Sequence, residues 1–366
     1  MKIDFGINVI LFLVAIIIGL FSAALLLSSA KNKTANRLLA LLMLAITGWI
    51  VDAFFRASGI YGQRSDLYFL PIYYSFAFGP LLYFYVQAIT NASFSFKYRY
   101  LLHFIPVFLQ AVFYWSVIFT SYQTKYYIWF NIHQPYTYRI EYDGTWLSMI
   151  IYLILSIGYL KNYRQWLKQN YSNITRKMLN WLNASLVILF MVCIAWLFEA
   201  YLRDFSGIYY KYDFSGNLLC IVVICIGILG YLQSNLDLSF VPQVSPSEEK
   251  ASSFVADATV IQLIEDALAK NKLYLNPELT LTDVAKHLAL PAKTISANVN
   301  AGFGKPFNTY INTYRVNEVK RRLAANDAAK LTLLGIAYES GFNSKTSFNR
   351  IFKEFTGQSP SDYLKK

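Results

Sequence analysis

The sequence predicts an all-α protein: a bundle of seven membrane-spanning helices followed by an all-helical C-terminal domain with two helix-turn-helix units. Three observations predict it. The 366 residues are 56% hydrophobic and only 15% charged, whereas soluble domains carry about a quarter charged residues, so much of the chain needs lipid as its solvent. The apolar residues form long uncharged runs up to about residue 240, and charge concentrates beyond it. From about residue 258 apolar positions recur at helical spacing without strand-like alternation.

Seven runs match the roughly 20 apolar residues that cross a bilayer: 7–28, 36–57, 67–89, 100–121, 146–167, 179–202 and 214–234. Cytoplasmic loops are enriched in Lys and Arg. Placing the N-terminus outside puts Lys31, Lys33, Arg37, Lys97, Arg99, Lys161, Arg164, Lys168, Arg176 and Lys177 inside. The outer ends then hold Lys2, Arg56, Arg64, Lys125, Arg139, Arg203 and Lys211, diluted by Asp66, Glu141, Asp143, Asp204 and Asp213. Seven spans leave the C-terminal domain in the cytoplasm of a cell whose inner membrane holds the multi-pass bundle. Ser28-Ser29-Ala30 resembles a signal-cleavage site, but the apolar core before it is too long and the basic cluster follows rather than precedes it. This charge order predicts an uncleaved anchor.

Charges inside spans are costly and therefore informative. Asp52 with Arg56, and Glu199 with Arg203, repeat one acid-then-base spacing of four residues near the outer ends of spans two and six. Residues four apart share a helix face, so each pair is expected to neutralise itself. A sharper expectation is that Trp49, Asp52, Arg56, Gln110, Trp196, Glu199 and Arg203 line an outward-facing pocket for a small-molecule or membrane-derived signal. The Tyr- and Trp-rich stretch from Tyr122 to Trp146 is expected to be an outer loop anchored at the interface.

Several chemistries are disfavoured. No His-Glu-x-x-His run, nucleophile elbow or phosphate-binding Gly loop occurs, so the chain is not expected to be an enzyme; His103, near Arg99, is its best catalytic candidate and reads better as structural. Cys193, Cys220 and Cys225 sit in apolar runs without metal-ligand or pairing spacing. Neither a metal nor a cofactor is expected. The seventh span has no Lys for a Schiff base and no span is charged near its middle, which argues against a retinal-type receptor or a transporter.

The polar, Pro-containing stretch 235–257 reads as a cytoplasmic linker between residues 1–234 and 258–366. Beyond it, Thr282 is expected to cap a helix through Leu288, with a turn at Leu290-Pro291 and a second helix over 293–300. That helix turns Ile295 and Val299 inward and Lys293, Ser296, Ala297 and Asn300 outward. The second unit has a helix over 331–339, a turn at Gly341-Phe342, and a helix over 345–355. There Phe348, Ile351, Phe352 and Phe355 share one arc, while Lys345, Thr346, Asn349, Arg350 and Lys353 take the other. Cations, amides and hydroxyls on one face, with the opposite face packed, suit an element that reads base edges and phosphates in double-stranded DNA.

The run Gly335-Ile336-Ala337, Ser340-Gly341-Phe342, Ser347 to Lys353, and Gly357-Gln358-Ser359-Pro360 with Tyr363 resembles the signature of AraC-type transcription regulators. Leu281 to Ala285, Gly304-Lys305-Pro306-Phe307, Tyr310-Ile311 and Tyr314-Arg315 resemble its first unit and connecting helix. In the membrane half, Phe78 to Tyr83 and His103 to Pro106 are similar to a subgroup that carries seven membrane helices in place of a soluble sensor. The resemblance implies that a helix over 307–323 joins the two units so that both recognition helices enter successive major grooves. It carries base reading to Lys293, Ser296 and Ala297 in the first unit and to Lys345, Thr346 and Arg350 in the second. Ala297 departs from the polar or basic residue usual there, so the second unit is expected to read more. RNA polymerase and a second copy of the chain are the further partners such a regulator implies. The competing reading is a membrane receptor or transporter-like protein whose helical domain is an adaptor that does not read DNA.

Overall fold

The computed structural model describes residues 4–91, 93–174, 178–207, 213–234 and 256–364. It divides into two compact units, Met1–Lys161 with Leu179–Gln243, and Asn162–Met178 with Val244–Lys366. Among the described residues there is no β-strand, only an isolated antiparallel bridge between Tyr171 and Thr280. The predicted linker lies almost wholly outside the described residues, as do Arg176, Lys177 and Lys211.

The first unit contains α1 (Ile7–Ser28), α2 (Lys33–Ala57), the short α3 (Ile60–Gln63), α4 (Phe78–Thr90), α5 (Ile105–Val117), α6 (Tyr122–Ile128), most of α7 (Tyr138–Asn170), α8 (Asn180–Ser206) and α9 (Phe214–Ser234). With no water to drive apolar faces together inside lipid, such helices pack through small residues that let backbones approach. Gly19 faces Thr47, and a Cβ on Gly48 would lie 2.2 Å from the Ile72 carbonyl oxygen. Large apolar side chains turn outward, among them Ile10, Ile17, Leu20 and Phe21 on α1 and Val187, Phe190, Ile194 and Leu197 on α8.

Six helical stretches among the described residues are long and apolar enough to cross a membrane: 7–28, 33–57, 98–117, 122–170, 180–206 and 214–232. The predicted third span, 67–89, is not one of them. Its first half forms short 3-10 turns and irregular backbone, and only α4, 13 residues long, is regular; at 1.5 Å per residue that is about 20 Å, short of a ~30 Å hydrocarbon core. The expected outer loop 122–146 is instead helical throughout, as α6, a π-helical stretch Trp129–Thr137 and the start of α7. Pro135 lies inside that wide stretch, where its missing N–H and its ring disfavour the tighter α-helical ladder.

The second unit adds α10 (Ala258–Ala269), α11 (Leu281–Leu288), α12 (Ala292–Phe303), α13 (Phe307–Ala324), α14 (Leu333–Glu339), α15 (Lys345–Thr356) and α16 (Pro360–Leu364). Its core is double. Ile264, Leu268, Val284, Ile295, Val299, Phe307 and Ile311 fill the first part, and Val316, Val319, Ile336, Phe342, Phe348 and Phe352 the second. The two ends of α13 therefore belong to different cores, which makes that helix the rigid joint between them.

Candidate DNA interface and outer cavity

Each recognition helix is placed by a tight turn after a short capped helix. In the first unit the cap is Thr280, not Thr282: Thr280 Oγ1 accepts from the Asp283 N–H at 3.1 Å while Asp283 Oδ2 accepts from the Thr280 N–H at 2.8 Å. The two orphan donors of the helix start are satisfied reciprocally, which requires the acid three residues after the cap. The turn passes through Ala289 in the left-handed region, φ +54°. On α12, Ile295 and Val299 are buried, Lys293 and Asn300 are exposed, and Ser296 and Ala297 are half-buried.

In the second unit Thr332 Oγ1 accepts from the Gly335 N–H at 3.0 Å to start α14, and Ser344 Oγ accepts from the Ser347 N–H at 3.2 Å to start α15. Gly341 makes the turn at φ +92°, and a Cβ there would meet the Tyr274 carbonyl oxygen at 2.3 Å. Phe348, Ile351 and Phe352 are buried; Lys345, Thr346, Asn349, Arg350 and Lys353 are all exposed. The sequence reading missed Glu354, one turn beyond Arg350 and paired with it at 3.2 Å. Such an exposed pair is weak, so a phosphate or a base acceptor can replace the carboxylate.

Residues 171–174 pack within the same unit. Ser172 is buried, its N–H donates to the Leu279 carbonyl at 3.0 Å and its hydroxyl to the same oxygen at 2.6 Å. Arg315, 2% exposed, donates to the carbonyls of Tyr274 and Asn276 at 2.8 and 2.7 Å and to Ser172 Oγ at 3.0 Å. Burial pulls this guanidinium down to about 10. Glu278 Oε1 accepts from Asn173 and from Asn343, both at 3.0 Å. Glu318 is held down at about 2 by Arg321 and then Arg322, which lie 2.7 and 3.3 Å from its carboxylate.

In the first unit of the chain, Trp49, Asp52, Arg56, Glu199 and Arg203 line one cavity of about 400 Å³. Gln110 and Trp196 are buried but do not line it; Trp196 backs its wall, edge-on to Trp49 at 5.5 Å. Asp52 and Arg56 pair at 3.1 Å as expected. Glu199 and Arg203 do not pair with each other: Glu199 accepts from the Ser215 N–H, the Ser215 hydroxyl and the Tyr142 hydroxyl at 2.8, 2.7 and 2.7 Å. Arg203 reaches Asp143 at 3.2 Å and Asp204 at 2.8 Å. Better-placed partners on α7 and at the start of α9 outcompete the one-turn neighbour. The cavity also recruits Tyr61, Tyr73, Trp129 and Glu141, which spacing along single helices could not bring together. His103 bonds the Tyr152 hydroxyl, a structural tie. Among the described residues no group of three or more His, Cys, Asp or Glu is arranged to hold a metal, and the three cysteines are unpaired.

Fold and exposed face define the C-terminal part as a helix-turn-helix domain of the AraC type. Residues 284–366 match the family model described as a helix-turn-helix domain. The chain is 30% identical over 92 residues to an uncharacterized helix-turn-helix-type transcriptional regulator of Staphylococcus aureus strain COL, covering 25% of this chain and 12% of that protein. A similar regulator from Staphylococcus aureus strain MRSA252 matches to the same extent. It is 32% identical over 87 residues to the melibiose operon regulatory protein of Escherichia coli K12, covering 24% of this chain and 28% of that protein. The likeness thus spans about an eighth to a quarter of these relatives' length. No solved structure matches the chain.

Proposed function

We propose that the protein is a membrane-embedded one-component transcription regulator: a seven-pass bundle senses a signal in the outer cavity, and the cytoplasmic domain binds double-stranded DNA sequence-specifically. The observation that carries it is α15, where Lys345, Thr346, Asn349, Arg350 and Lys353 are exposed on a helix whose other face is core, within the matched helix-turn-helix domain. Lys293, Ser296 and Asn300 of α12 supply the companion surface. The adaptor alternative leaves the dense cation and amide face of α15 without a role.

Six apolar stretches and their outward-turned side chains support lipid as solvent. The seventh passage is the broken segment 65–90; irregular backbone is tolerated at membrane depth where protein buries it, and Phe69, Ser75 and Ala77 are buried. Seven passes place the cavity outside and the DNA-binding domain in the cytoplasm. A signal shifts the bundle only if it binds two packings with different affinity. RNA polymerase and a second copy of the chain are the further partners.

The test is capture of genomic DNA fragments by the full chain in lipid nanodiscs, wild type against Lys345→Ala with Arg350→Ala, across a salt series. Enrichment of one motif by wild type, lost in the variant and weakening steeply with salt, is the expected result. Equal, motif-free recovery by both proteins would overturn the DNA-reading assignment in favour of the adaptor.

A further inference from the structure

The cavity's chemistry names the class of its ligand, an inference that rests on reading the cavity as the sensor site. Its volume of about 400 Å³ falls in the range of small-molecule sites. Two of its carboxylates, Glu141 and Glu199, are in no ion pair among the described residues; their partners are neutral, the Tyr114 hydroxyl at 3.1 Å for Glu141 and the Ser215 and Tyr142 groups for Glu199. Carboxylates withdrawn from water without a countercharge are costly, and a cation in the cavity supplies one. The walls favour the same sign, because aromatic faces attract cations: the Arg203 guanidinium carbon already lies 5.2 Å from the Tyr142 ring centre and 5.9 Å from that of Tyr138.

Arg203 adds a second requirement. Its side chain is only 5% exposed, Asp143 and Asp204 hold its other nitrogens, and Nη1 has no partner. A buried N–H group left unmatched calls for an acceptor. Glu199 and Arg203 stand one turn apart on the same face of α8, about 6 Å along the axis. We infer that the cavity takes a small organic ammonium compound carrying an oxygen acceptor within a few atoms of its cation, the chemistry of an amino acid, with its apolar body against the aromatic walls.

The experiment is a charge series on one skeleton: phenylalanine, 2-phenylethylamine, 3-phenylpropionate and 2-phenylethanol, titrated at millimolar concentrations into the full chain in nanodiscs, with tryptophan fluorescence as readout. The amine and the zwitterion are expected to bind, the zwitterion more tightly, and the anion and alcohol at least tenfold more weakly. Glu199→Gln, which keeps an acceptor for Ser215, and Glu141→Gln each abolish ammonium binding, whereas Arg203→Gln reduces the zwitterion to the level of the amine. Tightest binding by 3-phenylpropionate would overturn the ligand class while leaving the cavity a sensor site. Silence from all four would overturn both.

A different observation carries a second inference. Residues 171–174 are bonded to the entry of the first helix-turn-helix unit (Leu279), to α13 (Arg315) and, through Glu278, to the turn of the second unit at Asn343. Ser172 and Asn173 also share a groove with Arg350 and Ser347 of α15. α7, which runs unbroken from Tyr138 and Glu141 in the cavity wall to Asn170, leads directly into this segment. We infer that 171–174 is a strap whose docking beside α15 restrains DNA binding. Asn173→Cys with Glu278→Cys locks it by oxidation, in a chain whose own cysteines are on α8 and α9. The oxidised full chain is expected to bind DNA at least tenfold more weakly than the reduced form or either single variant. Equal or tighter binding when oxidised would overturn the strap.

Discussion

The two helix-turn-helix units share one scaffold and differ in what they present. α12 exposes a single lysine, Lys293, with Asn300, and carries half-buried Ala297 where a reader is usual; α15 exposes Lys345, Arg350 and Lys353 with Thr346 and Asn349. Their turns differ too. The first passes its left-handed residue through Ala289, the second through Gly341, where the Tyr274 carbonyl leaves no room for a Cβ. The first unit is thus strained and sparsely armed, the second relaxed in its turn and densely armed. The shared helix α13 lets one unit position while the other reads.

The largest expected effect breaks the turn comparison. Gly341→Ala should cost roughly 3 kcal/mol, from left-handed strain of about 1–2 kcal/mol and overpacking of a similar size, measured by chemical unfolding of the full chain. Next comes the reading comparison. Arg350→Ala should lose about 1–3 kcal/mol of discrimination at one base position, whereas Lys293→Ala should weaken all sequences alike and lower the salt slope by about one; competition binding on a selected site separates them. A smaller effect of opposite sign follows for Ala289→Gly, a gain of roughly 0.5–1 kcal/mol because glycine relieves the left-handed strain but loses backbone entropy.

The smallest effect is acid-dependent. The Arg321 and Arg322 partners hold the Glu318 carboxyl at about 2, below its usual 4.5. A depressed carboxylate stabilises the fold fully above its ordinary value and loses that contribution as pH falls through the depressed one. Glu318→Gln should therefore flatten the decline in stability between about pH 4.5 and 2 seen in unfolding curves of the wild type.

Local patterns made much of this legible in the sequence. The buried arc of Phe348, Ile351 and Phe352 and the exposed arc with Arg350 follow from helical period alone, as does the apolarity of the long stretches. What failed depended on partners distant in sequence. Glu199 and Arg203 share a helix face, yet Ser215, Tyr142, Asp143 and Asp204 compete for them. The break before Phe78 was hidden because hydropathy measures solvent preference and not backbone regularity. Glu141, a lone acid beside an apolar run, gave a signal that was read only as an outer charge; the bonds of Ser172 to Leu279 and Arg315 gave none.

The most direct test of bipartite reading is a hydroxyl-radical footprint of the full chain on its selected site. Two protected segments on one face of the duplex, about 10 base pairs apart as successive major grooves are, with the segment under α15 lost in Arg350→Ala, is the predicted result. A single protected segment, or protection unchanged by Arg350→Ala, would contradict it.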